Sequence, residues 1–206
     1  SWATAEESER QRWAFETDNA VASSPTVVDD TAFVGGADGT LYALDAATGE
    51  KVWTFETDAY VFSSPSVADG TVFVGSDDAT VYALDAATGA TEWTVETGDR
   101  VGSSPTVVDG TVYVGSNDTH VYALDAATGQ TEWTAETDGY VMSSPTVVDG
   151  TVYVGSNDAT LYALDATTGE TAWTVATNGK VESSPTVANG TVFVGGWESF
   201  YALDAD

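Results

Sequence analysis

The sequence advances in short bursts of strand-forming residues. Runs of about five residues rich in valine, threonine and tyrosine alternate with glycine, proline, asparagine and aspartate, so that a turn signal falls roughly every 8–12 residues. One stretch shows the whole pattern. Ser104–Val108 reads as a strand, and Asp109-Gly110 is the tight-turn pair after it. Thr111–Gly115 is a second strand, followed by turn chemistry at Ser116-Asn117-Asp118. His120–Leu124 is a third, Ala126–Gly129 turns the chain again, and Thr131–Glu136 is a fourth. Helices are excluded, because the bursts are rich in β-branched and aromatic residues and glycine or proline interrupts every one of them.

The pattern recurs five times in register. Trp13, Trp53, Trp93, Trp133 and Trp173 mark it, as do Pro25, Pro65, Pro105, Pro145 and Pro185 of the Ser-Ser-Pro triplets. The aspartates of Tyr-Ala-Leu-Asp keep step at Asp45, Asp85, Asp125 and Asp165; Asp204 arrives one residue early, after a deletion around Trp197–Ser199. Four strands in a repeat of about 40 residues make a propeller blade. A β-helix fits less well, since its coils are shorter and lack repeated Asp-Gly hairpins.

The pattern therefore predicts an all-β chain, a five-bladed β-propeller of four-stranded antiparallel blades. It opens with a fourth-strand segment, Arg12–Thr17. Complete blades follow at about 22–57, 62–97, 102–137 and 142–177, and three strands run from Val181 to Leu203. Pairing the N-terminal strand with Phe200–Leu203 would complete the last blade, close the ring and remove an unpaired edge. Residues 1–10 are expected to be a loose arm and 11–206 a single propeller.

Positions repeated in every blade serve the blade. The five tryptophans are expected to pack between blades, where they supply large apolar area and fixed geometry. The aspartate of Leu-Asp-Ala-Ala-Thr-Gly is expected to cap its own turn. No 12-residue loop with a terminal glutamate accompanies it, so calcium is not expected there. The serine pairs lie where the innermost strand begins and are expected to bond to backbone. A serine nucleophile needs a neighbouring base, and the chain has one histidine, His120, expected at an exposed strand start. No cysteine is present, which removes disulfides and thiolate metal sites.

Charge narrows the partners. Thirty-three Asp and Glu face five Lys and Arg, a formal net charge of −28. That field repels phosphate backbones, so nucleic acid is not an expected partner. The carboxylates recur in every repeat and lysine is scarce, a distribution that suits high salt, where the Debye length shrinks to about 3 Å. No apolar run is long enough to cross a membrane. The N-terminus lacks the basic start and apolar stretch of a signal peptide.

Positions that differ between blades are free to serve a partner. The loop entering the innermost strand varies most: Asn19–Ala22, Ala59–Phe62, Asp99–Gly102, Gly139–Met142 and Gly179–Glu182. In a propeller these loops converge at one mouth of the central channel, so Tyr60, Phe62, Arg100, Tyr140, Met142 and Lys180 would ring it. Aromatics with arginine suit an interaction surface or a small anionic ligand. Trp197 is expected to seal the ring closure.

The segments Tyr42-Ala43-Leu44-Asp45-Ala46-Ala47-Thr48-Gly49-Glu50-Lys51-Val52-Trp53 and Tyr122–Trp133 resemble the tryptophan-docking motif of the PQQ-like propeller repeat family. The resemblance covers nearly all the chain after residue 10. It implies that Trp53 docks on Ala83 or Ala43 and on a Thr-Gly turn. The family includes quinoprotein alcohol dehydrogenases, which hold pyrroloquinoline quinone and calcium, and BamB-like non-enzymatic scaffolds; many archaeal members are secreted or surface proteins. Unlike the quinoproteins, which typically have eight blades, this sequence has five and no vicinal cysteine pair. The residues, the charge and the resemblance together lead to the expectation of a non-catalytic, cofactor-free binding or scaffold propeller from a salt-loving source, monomeric and extracellular or at the cell surface, with a protein or small-molecule partner. The alternative is a quinone-binding redox protein, or a truncated or engineered piece of a larger quinoprotein-like propeller.

Overall fold

The computed structural model describes residues 10–205. The expected N-terminal arm lies outside the described residues except for Arg10. Blade one comprises β1 (Thr26–Val28), β2 (Thr31–Gly35), β3 (Thr40–Asp45) and β4 (Lys51–Glu56). Blade two comprises β5 (Ser66–Ala68), β6 (Thr71–Gly75), β7 (Thr80–Asp85) and β8 (Thr91–Glu96). Blade three holds β9 (Thr106–Val108), β10 (Thr111–Gly115), β11 (His120–Asp125) and β12 (Thr131–Glu136). Blade four holds β13 (Thr146–Val148), β14 (Thr151–Gly155), β15 (Thr160–Asp165) and β16 (Thr171–Ala176). Blade five contributes β17 (Thr186–Ala188), β18 (Thr191–Gly195) and β19 (Phe200–Asp204). Each blade is an antiparallel meander in sequence order, as the strand pattern predicts.

Turn chemistry sets the register. Asp69 and Gly70 both take positive φ, 48° and 83°, which matches the right-handed twist of the strands they join. A one-residue register shift falls between Ala83 and Leu84 where β7 meets β8, and equivalent shifts recur in blades one, three and four. A bulge of this kind bends the outer strand and re-aims its side chains.

The core lies between blades. Phe33, Leu41, Ala43 and Trp53 of blade one meet Val72, Val74 and Leu84 of blade two around Val61. Trp53 settles the docking question that identical alanines left open. Its indole Nε1 donates to the Ala86 carbonyl at 2.9 Å, so the turn it uses belongs to the following blade. Its ring lies on Gly89, where φ is +72° and any Cβ would fall 2.7 Å from a ring carbon. Trp13, Trp93 and Trp133 donate in the same way to Ala46, Ala126 and Ala166, and Trp173 reaches Ala205 at 3.4 Å.

Near the axis, hydroxyls link neighbouring blades. The Ser24, Ser64, Ser104 and Ser144 amides donate to the hydroxyls of Ser64, Ser104, Ser144 and Ser184. Among the described residues no equivalent bond joins Ser184 to blade one, and none joins residues 11–17 to β19. The segment 11–17 packs on blade one, with Trp13 over Gly49 and Phe15 edge-on to Tyr42 at 5.4 Å. It stands to blade one as β4 stands to blade two. Phe200 of β19 is 74% exposed, whereas its counterparts Leu41, Val81, Val121 and Leu161 are fully buried.

Candidate functional site

Each blade has two ends. At one, the hairpin turn and the Asp-x-x-Thr-Gly turn meet, as when the Ala46 amide donates to the Asp30 carbonyl. At the other, the turn after the second strand meets the loop leading to the next blade, as when the Thr57 amide donates to the Gly39 carbonyl. We call these the turn face and the loop face.

The turn face is saturated with its own bonds. Asp45 Oδ1 accepts from the Ala47 and Thr48 amides and from the Thr48 hydroxyl. These bonds hold the carboxyl below its ordinary range, and Asp85, Asp125 and Asp165 are lowered in the same way. Open clefts of about 470, 590 and 620 Å³ lie between successive blades on this face. Their walls are repeated residues such as Asp69, Asp85 and Ala86, which the blades already use.

On the loop face a buried valine anchors four of the five variable segments; Val21, its counterpart in the first, is half exposed. Val61, Val101, Val141 and Val181 are fully buried. The Val61 amide donates to the Gly36 carbonyl of blade one, while the Tyr60 carbonyl accepts from the Asp77 amide of blade two. Gly35 makes room: a Cβ there would lie 2.5 Å from Val61 Cγ1. With the middle residue held down, its neighbours project outward. Tyr60 and Phe62 are half exposed with ring centroids 5.4 Å apart, edge to face. Tyr140 and Met142 repeat the arrangement two blades on, with Asn157 Nδ2 donating to Met142 Sδ at 3.8 Å.

The cations take the intervening loops. Arg100 lies 3.6 Å from Asp77, and its side chain is 63% exposed. Burial pushes the Asp77 carboxyl up, against the pull of Arg100. Lys180 lies 4.0 Å from Glu182. The structure thus places all six residues singled out from sequence on one face, alternating aromatic and cationic loops.

Sequence reasoning singled out Trp197 but missed the residues at its position in the other blades. Ala37, Asp77, Asn117, Asn157 and Trp197 occupy one position in successive blades and are not constant, so the same test of variability points to them. The Asn117 and Asn157 Oδ1 atoms are buried without a hydrogen-bond donor. Trp197 does not seal a closure: it is 69% exposed, over Gly179. His120 begins β11 with Nδ1 3.0 Å from the Asp118 carbonyl. The serine hydroxyls serve backbone, Ser103 Oγ exchanging bonds with Gly115.

The profile described as outer membrane protein assembly factor BamB matches residues 3–68, 57–144 and 138–206. The chain belongs to this BamB family of PQQ-like propeller repeats. BamB from Moraxella catarrhalis superposes with a TM-score of 0.84 at 27% identity, over 94% of this chain and 61% of that one. This chain therefore spans less than two thirds of that BamB. The computationally designed Ika8 protein shares the fold at 18% identity and TM-score 0.79, over 87% of this chain and 57% of that one. So does the quinohemoprotein alcohol dehydrogenase ADHIIG from Pseudomonas putida HK5, at 20% identity and TM-score 0.76, over 92% of this chain and 41% of that one. No curated protein matches the sequence.

Proposed function

We propose that this BamB-family chain is a non-catalytic binding propeller that docks a partner protein on its loop face. The observation that carries the reading is the half-exposed set Tyr60, Phe62, Tyr140 and Met142, held on anchored backbone in an otherwise self-satisfied repeat. Rigid aromatic side chains with a neighbouring arginine make efficient protein-binding anchors. The family's description as an assembly factor supports a scaffold role.

Catalysis has no convergent set behind it. The serine hydroxyls are committed to backbone, and His120 stands apart from them. Pyrroloquinoline quinone and calcium do not suit the donors present. Among the described residues no three carboxylates or histidines converge, and the sequence has no cysteine pair. The reading includes a working environment of high salt, at the cell surface or outside the cell, where the charge of −28 is screened. Folding that weakens in dilute buffer and recovers in about 2 M salt would accord with it; equal stability in both would remove the high-salt part.

An array of random peptides probed with the labelled chain in about 2 M salt tests the docking face. The chain should bind a subset of peptides. The Tyr60→Ala, Arg100→Ala, Tyr140→Ala triple variant should bind none of them while unfolding at the same midpoint. Undiminished binding by the triple variant would contradict the reading.

A further inference from the structure

Directly after the constant valine, the five loops carry Ala22, Phe62, Gly102, Met142 and Glu182. Two residues later the Ser64 amide donates to Ser104 Oγ and the Ser104 amide to Ser144 Oγ, both at 2.9 Å. Those bonds hold three segments of the chain side by side, so the Gly102 loop lies between the Phe62 and Met142 loops. A Cβ at Gly102 would meet no atom within 4 Å. The flanking side chains are held by their neighbours, Phe62 by the edge-to-face contact with Tyr60 and Met142 by the bond from Asn157. Gly102 thus leaves a gap, or notch, between two loops that carry apolar side chains.

Arg100 stands two residues before Gly102. Among the described residues its guanidinium donates no hydrogen bond, and Asp77, itself largely covered, is its one charged contact, at 3.6 Å. Arginine offers five donors in a planar fork that fits a carboxylate through two parallel bonds. An exposed, hydrogen-bond-free fork beside an apolar notch is complementary to an apolar side chain with a carboxylate next to it. A polyanion is a poor fit, since the charge of −28 repels repeated phosphates far more than one carboxylate.

We propose that the notch over Gly102 is a specificity subsite. It takes one large apolar side chain from an extended segment of the partner, while Arg100 clamps an acidic residue adjacent to it. The proposal rests on the docking reading above and adds the chemistry of the partner.

The peptide array separates the two. Bound peptides should share a leucine, methionine or phenylalanine beside an aspartate or glutamate. Gly102→Trp fills the notch from a position with open space and ordinary backbone, and should weaken those peptides about tenfold, the effect of losing one buried anchor. Arg100→Gln should bind acidic and neutral versions of a peptide equally. If Gly102→Trp unfolds, Phe62→Ala serves in its place, since it removes one of the two apolar side chains. Bound peptides without the apolar–acidic pair, or full binding by a folded notch variant, would overturn the subsite and leave the docking face standing. Failure of the parent chain to bind any peptide, or equal binding by the triple-alanine variant, would overturn both.

Discussion

The two faces are built from the same strands and differ in what their residues are committed to. On the turn face Asp85, Thr88 and Gly89 are occupied: the carboxylate caps the turn and the glycine carries Trp53. On the loop face Asp78 and Thr57 are committed in the same way, but within the segment entering the inner strand only the valine is, and the residues on either side of it vary from loop to loop. Structural demand falls on every turn equally and makes them alike. Where one anchored residue satisfies the demand, its neighbours are released for recognition.

That contrast can be broken by mutation. Trp93→Ala should cost about 3–5 kcal/mol in denaturant unfolding, because it empties a site between two blades and orphans the Ala126 carbonyl. Gly89→Ala should cost about 1–3 kcal/mol from overpacking against the Trp53 ring, with left-handed strain in addition. A Gly89→Ala variant as stable as the parent would mean that the Thr-Gly turn is not the fixed seat described here.

Titration reads the turn face directly. Asp45, Asp85, Asp125 and Asp165 have pKa values lowered from 3.8 by their turn bonds. Their stabilisation is complete above 3.8 and is lost as the pH falls through the lowered values. Tyr82 and Tyr162 shift the other way, to about 12, through burial and then their hydrogen bonds to Asp78 and Asp158. That stabilisation is complete below pH 10 and is lost as the pH rises toward 12. Unfolding midpoints across both ranges should fall at each end, and Thr48→Val with its three equivalents should soften the acid limb. An unchanged acid limb would deny the carboxylates their capping role.

Smaller effects follow. Asp30 holds φ at +63° where the other hairpins place glycine, so Asp30→Gly should raise stability by about 1 kcal/mol. Tyr60→Ala or Tyr140→Ala should change stability by no more than about 0.5 kcal/mol, the usual range for exposed positions. A large loss in either would recast the loop face as structural.

Much of this was legible in the sequence, for a physical reason. A repeat in register is its own comparison, so constant tryptophans, aspartates and valines announce architecture and variable loops announce freedom. Strand order and turn positions followed from that, and so did the choice of six variable loop residues as candidates. The docking direction of Trp53 did not, because Ala43 and Ala83 are the same residue in the same motif. The Asp77–Arg100 pair joins positions 23 residues apart through blade placement, which spacing alone does not give. The exposure of Phe200 depends on what lies beside β19, where the strand pattern Phe200–Leu203 is the same as in the buried blades.

The most direct test of the divided faces is hydrogen exchange of the chain alone and bound to an array-selected peptide. Slowed exchange confined to residues 58–62, 98–102 and 138–142, with the turns at 45–49, 85–89 and 125–129 unchanged, is the predicted footprint. Protection centred on those turns would place binding on the face described here as structural and would contradict the account.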